Sequence, residues 1–580
     1  MQAQIHITMH KFSIFFLLLA FLAVSCTTND NTPHEIQLSD YLESDTIDIM
    51  PAIRQAMDAC RGLESATLVL PEGNFIVKND FAYQHYCYVS NNDEGLKRIA
   101  FDLTGCKNLE IKGNNTQLDF VGYTVPFLIS GAENITISGI SIDYTTPFHS
   151  EAEITAVAPD YFDVRFNTDE FPYNIRNGCL YFDNKPTGSD SFNLLLEFDK
   201  GKREPAYHAP DYWVNGTERC EQLPNGDVRI LREGINATVG NIMVFGCNHR
   251  LVPGFIISDC KDINIHDVNV YHTGGMAFIA QRSQNIELNH VNVTPPPYRQ
   301  RIVSATADAT HFSNCSGYIR MIDCVFENQK DDATNIHGIY AMISKIESPR
   351  TVILQYVHEA QRGFNFIREG MNVEIVDNAS LITQCERQVE SYEELNEEYT
   401  RVTFTEDLPT EIKTKFVVAQ TDSYPEVLIK GCTIRSNRAR GILLGSRAKM
   451  TIDSNYFHAA GAAILLEGDG SYWYEQSGVR DLEICRNTFD NCNYGYSAWG
   501  RACIAVGTGL WDNRATSRYH HNVNIHDNLF RTFDPRILNF YCTDGIRFVN
   551  NRIETTDDYP VANTDASPFI YDDCDGVDIQ

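Results

Sequence analysis

Three aspartates, and a tripeptide that occurs twice around them, are the residues of this sequence best suited to chemistry. Asp-Ala-Thr stands at 308–310 and again at 332–334, and Asp331 precedes the second copy. If one turn of the fold carries the chain from the first copy to the second, Asp308 lies beside Asp331 and Asp332 on neighbouring turns. We therefore predict a cluster of three carboxyl groups.

Such a cluster would hold both a proton donor and a base. Three carboxyl groups within a few ångströms cannot all ionise freely, so the pKa of at least one should rise. Cleavage of a glycosidic bond requires an acid and a base at the same pH. The alternatives are turn capping and a calcium site built from carboxylate oxygens. The repeated tripeptide favours a reactive site, and we expect neither a metal nor another cofactor.

The turns on either side of the predicted cluster differ sharply in character. On the following turn, Arg438 and Arg440 occupy the positions equivalent to Lys330 and Asp332. Arginines suit holding sugar hydroxyls or keeping a carboxyl group ionised, and the alternative is a surface ion pair. On the preceding turn the equivalent residues are small, and we expect Gly275 to leave room for a ligand.

Three further residues are candidates for contact with a sugar. The glycine-rich loop 468–475 carries three consecutive aromatic residues, of which Trp473 is the best candidate for stacking on a pyranose ring. Packing against the fold is the alternative for its neighbours. His311 and His337 each follow an Asp-Ala-Thr copy and are candidate sugar ligands, although a hydrogen-bonded structural histidine is the competing interpretation.

A repeating pattern of short strands must position these residues. The pattern has an apolar residue first, then Asn, Cys or an apolar residue three positions later, and another apolar residue two positions after that. Its first positions are 137, 265, 288, 321, 429, 452, 484, 525 and 548. Three of the gaps are equal (265 to 288, 429 to 452 and 525 to 548), and the longer ones fit the same coil with loops added. A period in the low twenties with β-branched residues and turn asparagines predicts an all-β chain folded as a parallel β-helix. Leucine-rich repeats lack support because their LxxLxL spacing is missing.

The N-terminal part of the repeat region and two interruptions complete the expected architecture. Apolar residues at helical spacing within 45–60 predict one amphipathic helix that caps the open end of the stack. Residues 145–255 and 340–425 break the period and contain strand-like runs, so we predict two inserted β modules that resemble small barrels. The remaining coils are 35–144 with the cap, 256–339 with the aspartates, and 426–580.

The first residues of the chain look like an export signal. Lys11 precedes an apolar run at 12–24, which is too short to span a bilayer and ends before Cys26. We predict a lipoprotein signal at 1–25, lipidation of Cys26, a tether at 26–34 and anchoring in a bacterial outer membrane. The alternative is an ordinary secretory signal.

The composition limits the classes of partner. The chain has 580 residues, a net charge of −30 and 43% hydrophobic residues. The apolar content excludes a largely disordered protein, and the acidic charge makes nucleic acid an unsuitable partner.

Taken together, the coils, cap, inserts and the spacing of Asp308, Asp331 and Asp332 resemble glycoside hydrolase family 110. These are exported bacterial α-1,3-galactosidases built on a right-handed parallel β-helix with inserted β-barrels. The resemblance implies an exo-acting, inverting enzyme that needs no metal and removes terminal α-1,3-linked galactose from oligosaccharides or glycoconjugates, including the blood group B determinant. It also implies that Asp331 is the general acid and that Asp308 and Asp332 activate the water. Acceptance of linear Gal-α-1,3-Gal is left open.

Two other classes of protein share this architecture. One is a polysaccharide lyase or polygalacturonase-like hydrolase that acts on uronans, and an excess of acids at the candidate site argues against such anionic substrates. The Arg-Ile-Lys and Gly-His-Gly signatures of polygalacturonases are absent, and 335–338 is the nearest approach. The other is a surface adhesin that binds glycans without cleaving them.

Overall fold

The computed structural model describes residues 33–580 apart from 45, 46, 186, 187, 191, 248 and 562–564. The predicted signal 1–25, Cys26 and the tether up to residue 32 lie outside the described residues. Within the described part of the chain, no helix has the length and apolar character needed to cross a membrane.

Two long sheets wind around one apolar core, and the predicted parallel β-helix is confirmed. The first sheet has 20 strands, and the pairs within it are parallel. Lys261 pairs with Gln284 and Val270 with Val293, so neighbouring coils follow the shortest period that the sequence predicts. The strands of the first sheet are His34–Gln37, Ala66–Val69, Gly73–Val77, Lys107–Phe120, Glu133–Tyr144, Lys261–Val270, Gln284–Val293, Ser316–Ile322, Val325–Glu327, Glu426–Lys430, Thr433–Arg435, Lys449–Asp453, Tyr456–His458, Asp481–Cys485, Thr488–Asp490, His520–His526, Leu529–Thr532, Thr543–Val549, Arg552–Thr555 and Asp575–Ile579.

The second sheet has 13 strands and carries the candidate site on its outer side. Its pairs are parallel except at Tyr83–Cys87 with Gly95–Asp102 and at Thr334–Ile339 with Glu475–Gln476. Its other strands are Thr124–Ser130, Phe255–Ser258, Phe278–Gln281, Thr310–Ser313, Ile442–Leu444, Ile464–Leu466, Ile504–Val506, Leu538–Tyr541 and Phe569–Asp572.

The asparagines of the sequence repeat form a buried ladder at the bend in the first sheet. Asn487 Oδ1 accepts a hydrogen bond of 2.9 Å from the backbone N–H of Asn455, and Asn528 Oδ1 accepts one of 2.9 Å from that of Asn487. Asn551 continues the series at 3.0 Å. Each asparagine therefore satisfies a backbone group that the bend removes from the sheet, which explains why the repeat keeps this residue type.

Cysteines replace asparagine at the same bend in earlier coils. Cys324 and Cys432 are buried there, and each thiol lies 3.5 Å from a backbone carbonyl of the preceding coil. The sixteen cysteines among the described residues are all free.

The predicted capping helix is Met50–Arg61, with Pro51 in its first turn. Its apolar face, including Ile53 and Met57, is fully buried against the first coils. Short 3-10 helices stand at Leu38–Tyr41, Glu359–Gln361 and Ser497–Trp499.

Two antiparallel modules interrupt the coils, as the breaks in period indicated. The first contains an eight-stranded sheet and a three-stranded sheet, and the second is a closed six-stranded barrel. The strands of the first module are Ser150–Val157, Tyr161–Phe166, Tyr173–Arg176, Cys179–Lys185, Gly188–Asp190, Leu194–Asp199, Glu204–Pro205, Tyr212–Trp213, Cys220–Gln222, Val228–Leu231 and Ile242–Gly246. Those of the second are Ala341–Ser348, Thr351–Gln355, Asn372–Val376, Thr383–Glu394, Tyr399–Phe404 and Val417–Gln420.

Candidate active site

The register of the second sheet brings the two Asp-Ala-Thr copies together. Thr310 pairs with Thr334, so the offset between these strands equals the separation of the two copies in the sequence. The backbone N–H of Ala309 donates to the Asp332 carbonyl oxygen at 3.1 Å. Asp308 and Asp332 therefore occupy equivalent positions on neighbouring coils.

The tripeptide itself explains why the aspartates face the site. Ala309 and Thr310 are fully buried, as are Ala333 and Thr334 in the next coil. The small alanine and the β-branched threonine fit the core of the helix at the start of each strand. The aspartate that precedes them stands just before the strand, where its side chain contacts His311 in one coil and Arg440 in the next.

Asp331 is held as an anion by two arginines. Its Oδ2 lies 2.7 Å from Arg250 Nη2, and its Oδ1 lies 3.4 Å from Arg438 Nη1. Burial acts to raise the pKa of Asp331, but the positive charges of Arg250, Arg438 and then Arg440 outweigh it and hold the pKa below its usual range. Asp331 is also the most accessible of the three, with 19% of its side chain exposed.

Asp332 binds one arginine through both oxygens. Arg440 donates its backbone N–H to Oδ1 at 2.9 Å and its Nη2 to Oδ2 at 2.7 Å. Burial is the largest influence on this carboxyl group, and although Arg440 opposes it, the charges of Asp331 and Asp308 add to it. The pKa of Asp332 is raised to about 7 as a result.

Among the described residues no arginine forms an ion pair with Asp308, and its Oδ2 lies 2.8 Å from His311 Nδ1. Burial, followed by the charge of Asp331, raises the pKa of Asp308 to about 8. The pKa of one of the three carboxyl groups is thus lowered, and the pKa values of the other two are raised. Such a difference between neighbouring carboxyl groups suits an acid and a base, and these roles stay a prediction.

Arg438 is fixed from two sides. Asp211, from the first module, binds its Nε and Nη2 at 2.8 and 2.6 Å. The indole N–H of Trp499 donates to Asp211 Oδ2 at 3.3 Å and holds that carboxylate in place. Of the roles expected for the arginines, contact with the carboxyl groups is what the geometry provides; binding of sugar hydroxyls by Arg438 or Arg440 stays a prediction.

The structure corrects the expectation that Gly275 opens a gap for a ligand. Gly275 is buried, and a Cβ at this position would meet Asn92 Oδ1 and the backbone nitrogen of Pro253 at 3.0 Å each. The Arg250 carbonyl lies 3.3 Å from the same point. The glycine therefore makes room for the segment that carries Arg250 and not for a ligand.

His311 and His337 are buried, hydrogen-bonded histidines, which was the competing interpretation of these residues. Their Nε2 atoms lie 2.8 Å apart, and His337 Nδ1 lies 2.7 Å from the Gly338 carbonyl oxygen. With His311 Nδ1 on Asp308, the ring nitrogens already have partners within the protein. A direct role as sugar ligands does not fit this arrangement.

The aromatic loop lies over the outer side of the second sheet. Asp469 accepts hydrogen bonds from the backbone N–H groups of Ser471 and Tyr472 at 2.9 and 2.7 Å, which fixes the turn. The Trp473 ring is 44% exposed and packs against His358 with ring centroids 4.9 Å apart. Stacking of Trp473 on a sugar stays a prediction.

Three charged residues of the site were not found by sequence reasoning. Arg250 follows the first module, where no repeat indicates its position. Glu475 ends the aromatic loop, and its carboxylate binds the Asn335 and Asn91 amides at 3.3 and 3.2 Å. Glu467 follows a strand of the second sheet, and burial raises its pKa to about 8 although Arg440 opposes the shift.

The three aspartates are not arranged as a cage for a cation. Among the described residues, Glu483, Cys485 and His526 form the one group whose ligand atoms all lie within 4.8 Å of one another, and it belongs to the first sheet. Guanidinium groups provide the counter-charge at the aspartates instead, through Arg250, Arg438 and Arg440. The aspartates therefore have fixed positive neighbours supplied by the protein itself.

Three family models match parts of this chain. Residues 150–243 match GLAA-B beta-barrel domain I, and residues 351–418 match GLAA-B beta-barrel domain II. Residues 415–575 match a right handed beta helix region. The two barrel matches fall on the two inserted modules, and the third agrees with the predicted handedness of the coils.

Curated relatives cover nearly the whole chain. Alpha-1,3-galactosidase A of Shewanella woodyi is 33% identical over 96% of this chain and 92% of the relative. Alpha-1,3-galactosidase B of Bacteroides thetaiotaomicron is 27% identical over 92% of this chain and 87% of the relative. Alpha-1,3-galactosidase B of Phocaeicola vulgatus is 28% identical over 96% of this chain and 95% of the relative. The resemblance is confirmed, and the chain belongs to glycoside hydrolase family 110, the family of these bacterial α-1,3-galactosidases.

Proposed function

We propose that this protein is an exo-acting glycosidase that hydrolyses terminal, non-reducing α-1,3-linked galactose. The observation that carries the proposal is three carboxyl groups placed together by the coil register, the pKa of Asp331 lowered and those of Asp308 and Asp332 raised, in a chain whose relatives are named α-1,3-galactosidases. Glycoside hydrolysis needs a proton for the departing oxygen and a base for the attacking water. Asp308, Asp331 and Asp332 supply both.

The neighbouring charges favour a neutral sugar over a uronate. Arg250, Arg438 and Arg440 each already pair with a carboxylate of the site. An incoming uronate would have to compete for these guanidinium groups and would meet the charge of Asp331. Sugar hydroxyls, in contrast, donate hydrogen bonds to carboxylates without adding charge.

Inversion is part of the proposal and rests on the resemblance. In an inverting enzyme, the base takes a proton from a water on the face opposite the departing group. The resemblance makes Asp331 the acid, yet Arg250 and Arg438 keep it ionised in the free protein. We propose that the bound substrate takes over one of these arginine contacts, so that the pKa of Asp331 rises and it accepts the proton it then donates.

The N-terminal residues of the sequence support a proposal about where the protein is located. Lys11, the apolar run 12–24 and Cys26 support an exported lipoprotein held at the outer membrane by lipidation of Cys26. Metabolic labelling with an alkyne fatty acid should mark the wild-type protein, and Cys26→Ser should remove the label. An unlabelled wild-type protein released into the medium would contradict the anchor.

A panel of α- and β-linked galactosides, followed by proton NMR, tests the function. The proposal predicts that galactose is released from α-1,3 linkages and appears first as the β-anomer. The panel should contain the branched blood group B trisaccharide and linear Gal-α-1,3-Gal, which measures the range of acceptors. Unsaturated or hydrolysed products from uronans would support the uronan-acting class instead, and glycan binding without turnover would support an adhesin.

A further inference from the structure

A chain of buried hydrogen bonds leads away from Asp308 through two imidazole rings. Asp308 Oδ2 lies 2.8 Å from His311 Nδ1, and His311 Nε2 lies 2.8 Å from His337 Nε2. The chain ends at the Gly338 carbonyl oxygen, 2.7 Å from His337 Nδ1. All three residues are almost completely buried, with exposed fractions of 3%, 1% and 5%.

The last contact fixes the direction of the others. A carbonyl oxygen only accepts hydrogen bonds, so His337 Nδ1 must carry a hydrogen. An uncharged His337 then presents a lone pair at Nε2, and His311 must donate to it from its own Nε2. An uncharged His311 with its hydrogen on Nε2 presents a lone pair at Nδ1. Asp308 must therefore donate to His311, which requires a protonated carboxyl group.

Removal of that proton breaks the chain. If Asp308 were ionised and both rings were neutral, two lone pairs would face each other at 2.8 Å, either between the Nε2 atoms or at another contact of the chain. Moving the proton onto one of the rings keeps every hydrogen bond but places a cation in the interior. Burial disfavours this for His311, whose pKa is lowered well below its usual value.

We propose that His311 and His337 are positioning residues that, anchored at the Gly338 carbonyl, keep one proton on Asp308 in the resting protein. An uncharged Asp308 does not repel the negative charge on Asp332, so Asp332 ionises more readily as the base of the hydrolysis. This inference rests on the proposed function for its consequence, but the proton on Asp308 is a property of the fold.

Other charges face this chain from several elements. Asp331 favours a proton on Asp308, whereas Arg250 and Arg440 oppose it. Glu475, 3.6 Å from His337 Nε2, favours positive charge on the rings, and Arg250 opposes such charge on His311. The charges therefore act in both directions, and the burial of the two rings, with exposed fractions of 1% and 5%, keeps the proton on Asp308.

The pH dependence of stability tests the inference without any need for turnover. A carboxyl group whose pKa is raised by folding stabilises the fold fully below its unfolded value, and this contribution is lost as pH rises through the folded value. In His337→Gln, an amide N–H can donate to His311 Nε2, which lets His311 donate to an ionised Asp308. The variant should then lose less stability than the wild type as pH rises.

The measurement is the difference in Tm between wild type and His337→Gln at pH 5 and pH 8. We expect this Tm difference to be smaller at pH 8 than at pH 5 by about 2 °C. When both proteins carry Asp308→Asn, we expect it to be the same at the two pH values. In His311→Asn, an amide N–H can likewise donate to an ionised Asp308, so the same narrowing is expected. This variant serves as the test if His337→Gln does not fold. His520→Gln is the matched control, since His520 is also buried and binds Thr508 Oγ1 at 2.7 Å.

Two results would overturn the inference. One is a Tm difference between wild type and His337→Gln that is the same at pH 5 and pH 8, both with Asp308 and with Asp308→Asn. The other is a Tm difference that narrows equally with Asp308 and with Asp308→Asn, or that narrows as much in the His520→Gln control. In an active enzyme, His337→Gln should also move the rising limb of the kcat/KM–pH profile to higher pH, because a charged Asp308 hinders ionisation of Asp332. Absence of turnover in the wild type would count against the proposed function, while the Tm comparison would still decide where the proton rests.

Discussion

Two bends of the same β-helix use stacked side chains in opposite ways. At the bend within the first sheet, successive coils place asparagines above one another, and each satisfies a backbone group of its neighbour. At the bend before the second sheet, successive coils place Met276, Asp308, Asp332 and Arg440 in register. Repetition of one residue type stabilises the stack, whereas a change of type at each coil gathers carboxyl groups and their counter-charge into a site.

The largest expected effect comes from removing a carboxyl group of the trio. Asp331→Asn and Asp332→Asn should each lower kcat by about a thousandfold or more, because general acid and base catalysis each contribute about 10²–10⁴-fold. Asp308→Asn keeps that position uncharged and should lower kcat less. The fold should remain, since an amide has nearly the same shape as the carboxyl group that it replaces. Steady-state kinetics with Gal-α-1,3-Gal and circular dichroism check both points. Asp453→Asn, at the first sheet, is the matched control and should keep its kcat.

A substitution in the asparagine ladder should lower the stability of the fold and leave kcat unchanged, the opposite of the aspartate substitutions. Asn487→Ala removes an acceptor for the Asn455 backbone and donors to the Ile452 carbonyl and Asn528. Leaving buried polar groups without partners should lower the free energy of unfolding by about 2–3 kcal/mol. Urea denaturation measures this loss, and kcat per folded molecule should be unchanged. A normal stability in this variant would contradict the role assigned to the ladder.

A smaller effect should follow from changing the counter-charge. Arg440 opposes the rise in the pKa of Asp332, which stands at about 7. Arg440→Gln should therefore raise that pKa further, by about one unit, and move the rising limb of kcat/KM to higher pH if Asp332 is the base. Arg486→Gln, which removes the partner of Asp453 in the first sheet, should leave the profile in place. A limb that moves to lower pH would exclude Asp332 as the base.

The smallest expected effect concerns the exposed aromatic loop. Trp473→Ala should raise KM for oligosaccharides by about fivefold, since aromatic contacts of this kind contribute about 1 kcal/mol, and leave kcat near its original value. Trp511→Ala is the control, because Trp511 is also exposed but lies on a different loop. An unchanged KM for every acceptor in the panel would remove Trp473 from the sugar-binding surface.

The sequence predicted those parts of the site that obey the coil period. Aligning the two Asp-Ala-Thr copies predicted the pairing of Thr310 with Thr334, and extending the count placed Arg440 above Asp332, as the register shows. Both inferences succeed because a parallel stack converts a constant number of residues per coil into spatial neighbours.

Residues outside that period escaped prediction for the same reason. Arg250 reaches Asp331 from a segment after the first module, where the number of residues carries no information about position. The space beside Gly275 is filled by that same segment, so counting along the coils could not show it. The direction of the hydrogen bonds through His311 and His337 depends on the Gly338 carbonyl oxygen. The sequence alone does not show where that carbonyl points.

One measurement tests the central claim, that the three aspartates on neighbouring coils are the acid and base of a hydrolase. Wild type and the three asparagine variants are compared by proton NMR on Gal-α-1,3-Gal and on α-galactosyl fluoride, whose leaving group needs no proton. We predict that the wild type releases β-galactose from both, that Asp331→Asn and Asp332→Asn fail on the disaccharide, and that Asp308→Asn keeps part of its activity. The variant lacking the acid should retain cleavage of the fluoride. Cleavage of the disaccharide at the wild-type rate by Asp331→Asn or Asp332→Asn would contradict the account.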